Sequence, residues 1–206
     1  MEYDQIIRKV GVRLLWLNAN ARHAIELKET FTFPAYNPAL RKIIKGGNLV
    51  RCYKVYLDAI YFEFIMTLMR MYDTYKSDDT VCFDKLFYYL SAEFIQEIEN
   101  KTQRRIKSKI HSAQKEYTNL KDSHLIARLK TVRNKMFAHT SANFDKRQVA
   151  RYGYAEQLLE KTLPMLNNLN SAILGNVEPF DSISKYWKGY AKEFWKILLK
   201  SNDNGQ

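Results

Sequence analysis

Apolar residues recur along this chain mostly at intervals of three and four, the spacing that lines one face of a helix. Ile6, Val10, Leu14, Leu17, Ala21 and Ile25 predict a first helix from about Tyr3 to Leu27, weakened slightly by Gly11. The stretch "FTFPAYNPALRKIIKGGN", with Pro34, Pro38 and the Gly46-Gly47 pair, predicts a long connection holding at most a short turn of helix. Asn48 is placed to cap a second long helix. Its stripe of Leu49, Tyr53, Tyr56, Ile60, Phe64, Leu68 and Met71 is nearly all large, as befits a helix central to the core.

After a break at "YKSDDT", Asp79 is placed to cap a short helix through Leu90, and Ser91 a longer one carrying Phe94, Ile95, Ile98, Ile106, Ile110, Ala113 and Tyr117. Asp122 or Ser123 opens a helix with the stripe Leu125, Leu129, Val132 and Met136, ending near "AHTSANFD". A further helix is expected from about Asp145 to Ile173, kinked or divided by Pro164. Beyond "LGNVEPFD", Ile183, Trp187, Tyr190, Phe194 and Leu198 lay out a last amphipathic helix rich in aromatics. Alternating apolar and polar runs are scarce, and only 7 glycines and 4 prolines are present. The expectation is an all-α bundle of about six or seven helices. A single domain over residues 1–200 is expected, followed by a frayed tail, "SNDNGQ", at 201–206.

The start, "MEYDQIIRKV", lacks the layout of a signal peptide, and neither terminus carries an apolar run fit to span a bilayer, so a cytoplasmic protein with no membrane partner is expected. Cys52 and Cys82 are too few and too isolated for a disulfide framework or a zinc site; both lie in apolar helical patterns and are expected to be buried thiols.

The net charge of +11 is unevenly placed. Residues 101–151 hold 14 Lys or Arg against Glu116, Asp122 and Asp145, a net of +11, which leaves 19 basic and 19 acidic residues to balance elsewhere. A confined basic block is either a solvated helix face or a face that meets a polyanion, most naturally nucleic acid. Arg104, Arg105, Lys107, Arg128, Lys130 and Lys135 are its candidate RNA contacts.

Within that block residues 133–140 read "RNKMFAHT". On a helix Arg133 and His139 lie roughly 60° to either side of Met136, bordering the apolar stripe, while Asn134 points nearly opposite. Asn134 therefore implies either a distorted helix end or a separate task, such as orienting its neighbours. Arginine with histidine is a reasonable kit for cleaving a phosphodiester without a metal: the guanidinium holds phosphate oxygens and imidazole moves protons near neutral pH. Spacing alone is weak evidence, because Arg105 and His111 in "RRIKSKIH" share the same separation and read as solvated positions on a basic helix. His23 and His124 likewise read as surface residues, and Trp16, Trp187 and Trp195 as core or interface.

The fuller string "RNKMFAH" resembles the HEPN superfamily of small helical-bundle proteins, whose ribonuclease members carry an arginine, a polar residue and a histidine a few positions later. "LMRMYDTYKSDDTVCFDKLFYYL", residues 68–90, is similar to the central region of the HEPN branch linked to bacterial abortive infection. The resemblance implies metal-independent RNA cleavage with no cofactor, by a homodimer whose 123–139 helices meet across a twofold axis so that each active site is composite. It implies that Arg133 binds the scissile phosphate, that His139 is the acid or base, and that Asn134 positions them or contacts RNA. Many HEPN toxins paired with a nucleotidyltransferase antitoxin have tyrosine two positions after the histidine; Ser141 stands there in this chain, so control by modification of that tyrosine does not carry over. The expected function is a toxin or antiphage endoribonuclease, with an antitoxin protein as a further partner. The alternatives are a HEPN module that binds nucleic acid without cutting it and a protein-interaction subunit whose partner covers the 123–139 helix.

Overall fold

The computed structural model describes residues 3–46, 50–74, 77, 80–102, 104–137, 152–175 and 179–203, and every regular element among them is a helix. The nine are α1 (Tyr3–Tyr36), α2 (Pro38–Gly46), α3 (Val50–Met71), α4 (Phe83–Tyr89), α5 (Ala92–Thr102), α6 (Lys107–Lys121), α7 (His124–Phe137), α8 (Tyr152–Ile173) and α9 (Phe180–Asp203). This is the all-α architecture expected, with a slightly higher helix count. α1 lies against α3, α8 and α9, while α8 packs along α6 and α7. Leu14, Leu17, Ala21, Phe64, Leu68, Leu129, Leu158 and Leu166 meet in one core. The leucines and the phenylalanine among them each contribute roughly 1.5–3 kcal/mol by leaving water. In that core Asn18 and Asn170 exchange reciprocal hydrogen bonds of 2.7 and 2.9 Å, satisfying both buried amides.

The added helices arise where side chains supply what the backbone lacks. α1 does not stop near Leu27 but runs through Pro34 to Tyr36. Proline at 34 cannot donate to the carbonyl of Thr30, one helical turn back, and ordinarily breaks a helix there. Instead the Trp195 indole N–H on α9 donates to that carbonyl at 3.0 Å, and Pro34 packs into the core. Asn37 then starts α2, its side-chain oxygen accepting from the Leu40 N–H at 3.1 Å, with Pro38 in the first helical position.

The single helix expected after Ser91 is two. Ser91 does cap α5, its Oγ accepting from the Phe94 N–H at 3.3 Å. α6 then restarts because one carboxylate oxygen of Glu99 accepts from the N–H groups of Ile106 and Lys107 at 2.7 and 2.9 Å, satisfying two of the helix's orphan donors. α8 runs through Pro164 undivided. Pro164 faces solvent, and Leu158, Leu159, Met165 and Leu166 on its flanks are buried, which outweighs the cost of about 3 kcal/mol for the missing bond. Gly175, at φ +88°, takes the left-handed conformation that ends α8.

α3 is central only in its C-terminal half. Ile60, Phe64, Leu68 and Met71 are buried, whereas Tyr56 is exposed and Tyr53 half-buried against the Trp195 ring. Cys52, on this projecting end, is exposed rather than a buried thiol; Cys82 is buried as expected. Asp79 lies outside the described residues.

Candidate functional site

α7 is held from its first turn onward by Leu125, Ile126, Leu129 and Val132, all buried, which brings Arg133 to the edge of the core. The end of α3 is fixed against it by Tyr72. That phenol is buried, shares a 2.7 Å hydrogen bond with the Thr162 hydroxyl of α8, and stacks on Tyr117 of α6 with ring centroids 6.1 Å apart. Burial pushes the Tyr72 phenol well above its ordinary pKa, so it stays protonated as a structural anchor. Asp73, the next residue, leaves the anchored tyrosine facing α7.

Arg133 Nη1 donates to Asp73 Oδ1 at 2.5 Å, and Arg133 Nε donates to Asn134 Oδ1 at 3.3 Å. The guanidinium is thus held at two of its three nitrogens by a carboxylate on one side and a neighbouring amide on the other; Nη2 takes no part in either bond. The Asn134 contact resolves the geometric puzzle of that residue without any distortion of α7, which stays helical through Phe137. Its amide reaches sideways to the arginine and not across the helix. A fixed, partly buried guanidinium whose Nη2 lies outside both of these bonds is suited to a phosphate oxygen, since its charge and fork geometry are set before the ligand arrives. His139 lies outside the described residues, as does the Lys135 side chain.

The basic candidates fall in separate places. Arg104 Nη2 donates to the Ser171 carbonyl at 2.6 Å, and Lys109 Nζ to the Ser171 hydroxyl at 2.5 Å, so both cations close the C-terminal turn of α8, where a positive charge complements the helix dipole. Arg105 and Lys107 are exposed beside that junction. Arg128 lies over the Tyr154 ring at 5.4 Å, at the opposite end of α8, with His124 edge-on to the same ring at 6.1 Å. Lys130 is half-buried on α7. His111 is exposed on α6, and His23 sits 3.2 Å from Glu26 on α1. Among the described residues no three His, Cys, Asp or Glu side chains gather as a metal site would require.

Two participants were missed in the sequence, Asp73 and Tyr154. Asp73 is one of several acidic residues near the break after α3, and its pairing with an arginine 60 positions later leaves no local trace. Tyr154, which carries the Arg128 contact away from Arg133, lay within a helix expected from about Asp145 to Ile173 and was given no role there.

Comparison with known proteins decides the family. The HEPN_AbiU2 family model, AbiU2, matches residues 12–194, well over half the chain and all of the elements that form this site. The chain belongs to the HEPN abortive-infection family. No curated protein and no solved structure matches it. The HEPN match runs from the first turns of α1 into α9, and it includes Asp73, Arg133, Asn134 and His139. Among the described residues of this HEPN protein no helix is long and apolar enough to cross a membrane.

Proposed function

We propose that this HEPN protein is a metal-independent endoribonuclease, acting as a toxin or antiphage effector, with its site at the C-terminal end of α7. The observation that carries the reading is the two-sided grip on Arg133 by Asp73 and Asn134, at the edge of a packed helix and six residues before His139. Arg133 binds the scissile phosphate and offsets the charge that builds on its oxygens. His139 moves the protons. The RNA 2'-hydroxyl loses its proton to a base and attacks phosphorus, the bond from phosphorus to the 5'-oxygen breaks, and that oxygen takes up a proton as it leaves. One imidazole cannot hold both proton positions at once, so a second copy of the α7 helix across a twofold axis supplies the complementary group.

Purified protein is expected to cut single-stranded RNA in the presence of EDTA. Arg133→Ala and His139→Ala are each expected to abolish cutting while leaving the far-ultraviolet circular dichroism unchanged. Salt-sensitive RNA binding without cleavage by the wild type, or cleavage that survives both substitutions, would contradict the nuclease reading and leave a binding module.

A further inference from the structure

α9 turns one face into the core and presents a second, unusual face to solvent. Phe180, Ile183, Ala191 and Trp195 are buried. On the outward side Tyr186, Tyr190, Phe194 and Ile197 remain at least half exposed, from 50 to 67%. At about 100° per residue, Tyr186, Tyr190 and Ile197 fall within about 40° of one another, with Phe194 at their edge. Lys185, Lys192 and Lys196 form a second row, also within about 40°, set about 120° around the helix and spanning roughly 16 Å of its length. Between the rows lies a shallow groove bordered by Lys185, Tyr186, Tyr190 and Lys192, with Gly189 on its floor. Glu193, the carboxylate in the middle of this face, is taken up by Lys196 at 2.7 Å.

Gly189 sharpens the pattern. A glycine inside a helix costs stability, and here a side chain would meet nothing within 4 Å, so no neighbour in the fold requires its absence. The glycine leaves the floor of the groove open to a molecule approaching from solvent.

We infer that this face of α9 is a track for single-stranded RNA, separate from the α7 site, in which unpaired bases stack on Tyr186 and Tyr190 and the phosphate backbone runs along Lys185 and Lys192, while Lys196 offsets Glu193. Parallel rows of rings and ammonium groups match the alternation of bases and phosphates along a single strand, and duplex RNA has no free base faces to offer. A protein partner fits less well, because interfaces are depleted in lysine. A bilayer fits less well too: the larger apolar face of α9, with Phe180, Ile183, Ala191 and Trp195, is spent on the core, and two of the four outward residues are tyrosines with a polar hydroxyl at the tip. The inference does not depend on cleavage, since binding is read without it.

The test is fluorescence anisotropy with a labelled, unstructured RNA of about 20 nucleotides and with a duplex of the same length, long enough to cover more than one stacking platform. Tyr186→Ala with Tyr190→Ala is expected to weaken single-strand binding about tenfold or more and duplex binding much less. Lys185→Gln with Lys192→Gln is expected to flatten the dependence of affinity on salt. Gly189→Leu fills the groove and is expected to weaken binding while leaving the melting temperature at or above the wild-type value, which separates blocked access from lost folding. Arg133→Ala is expected to lose cleavage and keep this binding; if wild type does not cut RNA at all, the α9 variants still report on the track. Single-strand affinity unchanged in all three α9 variants overturns the inference. So does retention of RNA binding while the same substitutions abolish adsorption to anionic phospholipid vesicles, or dissociate a dimer in sedimentation.

Discussion

At the scale of single residues, Asp73 is where the account is most exposed to test. It does not touch the RNA in the proposed mechanism; it is a positioning residue that sets the angle of the Arg133 guanidinium. With a partly exposed pair such as this, the direct contribution to stability is about 0–1 kcal/mol. Asp73→Asn should therefore leave the urea midpoint nearly unchanged. A small misplacement of a group that stabilises the transition state can cost up to about a hundredfold in rate, so kcat should fall about ten- to a hundredfold with little change in KM. A merely structural ion pair would move neither. The residues proposed for the chemistry could be named from sequence because "RNKMFAH" carries them in seven consecutive positions. Asp73 was not, because the link between it and Arg133 exists only once α3 and α7 are packed. The same limit applies to Arg104, which reads as a surface cation in sequence but is spent on the last turn of α8.

At the scale of elements, the legible parts were those whose apolar stripe alone decides their fate, such as α7 and the C-terminal half of α3. Punctuation was misleading wherever a distant side chain repaired it. Pro34 reads as a helix end, yet Trp195, far along the chain, accepts its consequence by bonding the Thr30 carbonyl. Trp195→Phe is expected to cost about 1–3 kcal/mol, the penalty for a buried acceptor left without a donor. With Pro34→Ala the helix recovers its own N–H for that carbonyl, and the same tryptophan substitution should cost measurably less. A double-mutant cycle by urea unfolding reads the difference directly; additive effects would contradict the link.

The opposite error came at the α5–α6 junction, where nothing in the sequence marks a break and the Glu99 carboxylate nonetheless caps a new helix. Hydrogen bonds from the Lys107 and Ile106 backbone and the nearby Lys107 and Arg105 charges hold its pKa below the ordinary carboxylate value, against a smaller opposing desolvation. A depressed pKa adds stability that is fully present above the ordinary carboxylate pKa and is lost as pH falls through the lowered one. Wild type should thus unfold more readily than at neutral pH once the pH falls below about 4, the ordinary range for Glu. The stability gap between wild type and Glu99→Gln should close over that same window. A gap independent of pH would remove the carboxylate's charge from the explanation.

At the scale of the whole molecule, the basic block of residues 101–151 proves less uniform than its charge total implies. Arg104 and Lys109 close one end of α8, and Arg128 rests on Tyr154 near its other end. Clustering in sequence placed these cations on α6, on the link before it and on α7, and folding then distributed them over the length of α8. The exposed lysines of α9 lie outside that block, in the part of the chain whose charges balance, which is why a charge count passed over them. The family assignment and the all-α architecture stand on the match over residues 12–194 and on the helices themselves. The proposed chemistry rests on Arg133 and His139, and its most direct test is the identity of the ends left on cut RNA. Attack by the 2'-hydroxyl predicts, in EDTA, upstream fragments ending in a 2',3'-cyclic phosphate and downstream fragments beginning with a 5'-hydroxyl, both absent with His139→Ala. Fragments bearing a 3'-hydroxyl and a 5'-phosphate, or no fragments from the wild-type protein, would contradict it.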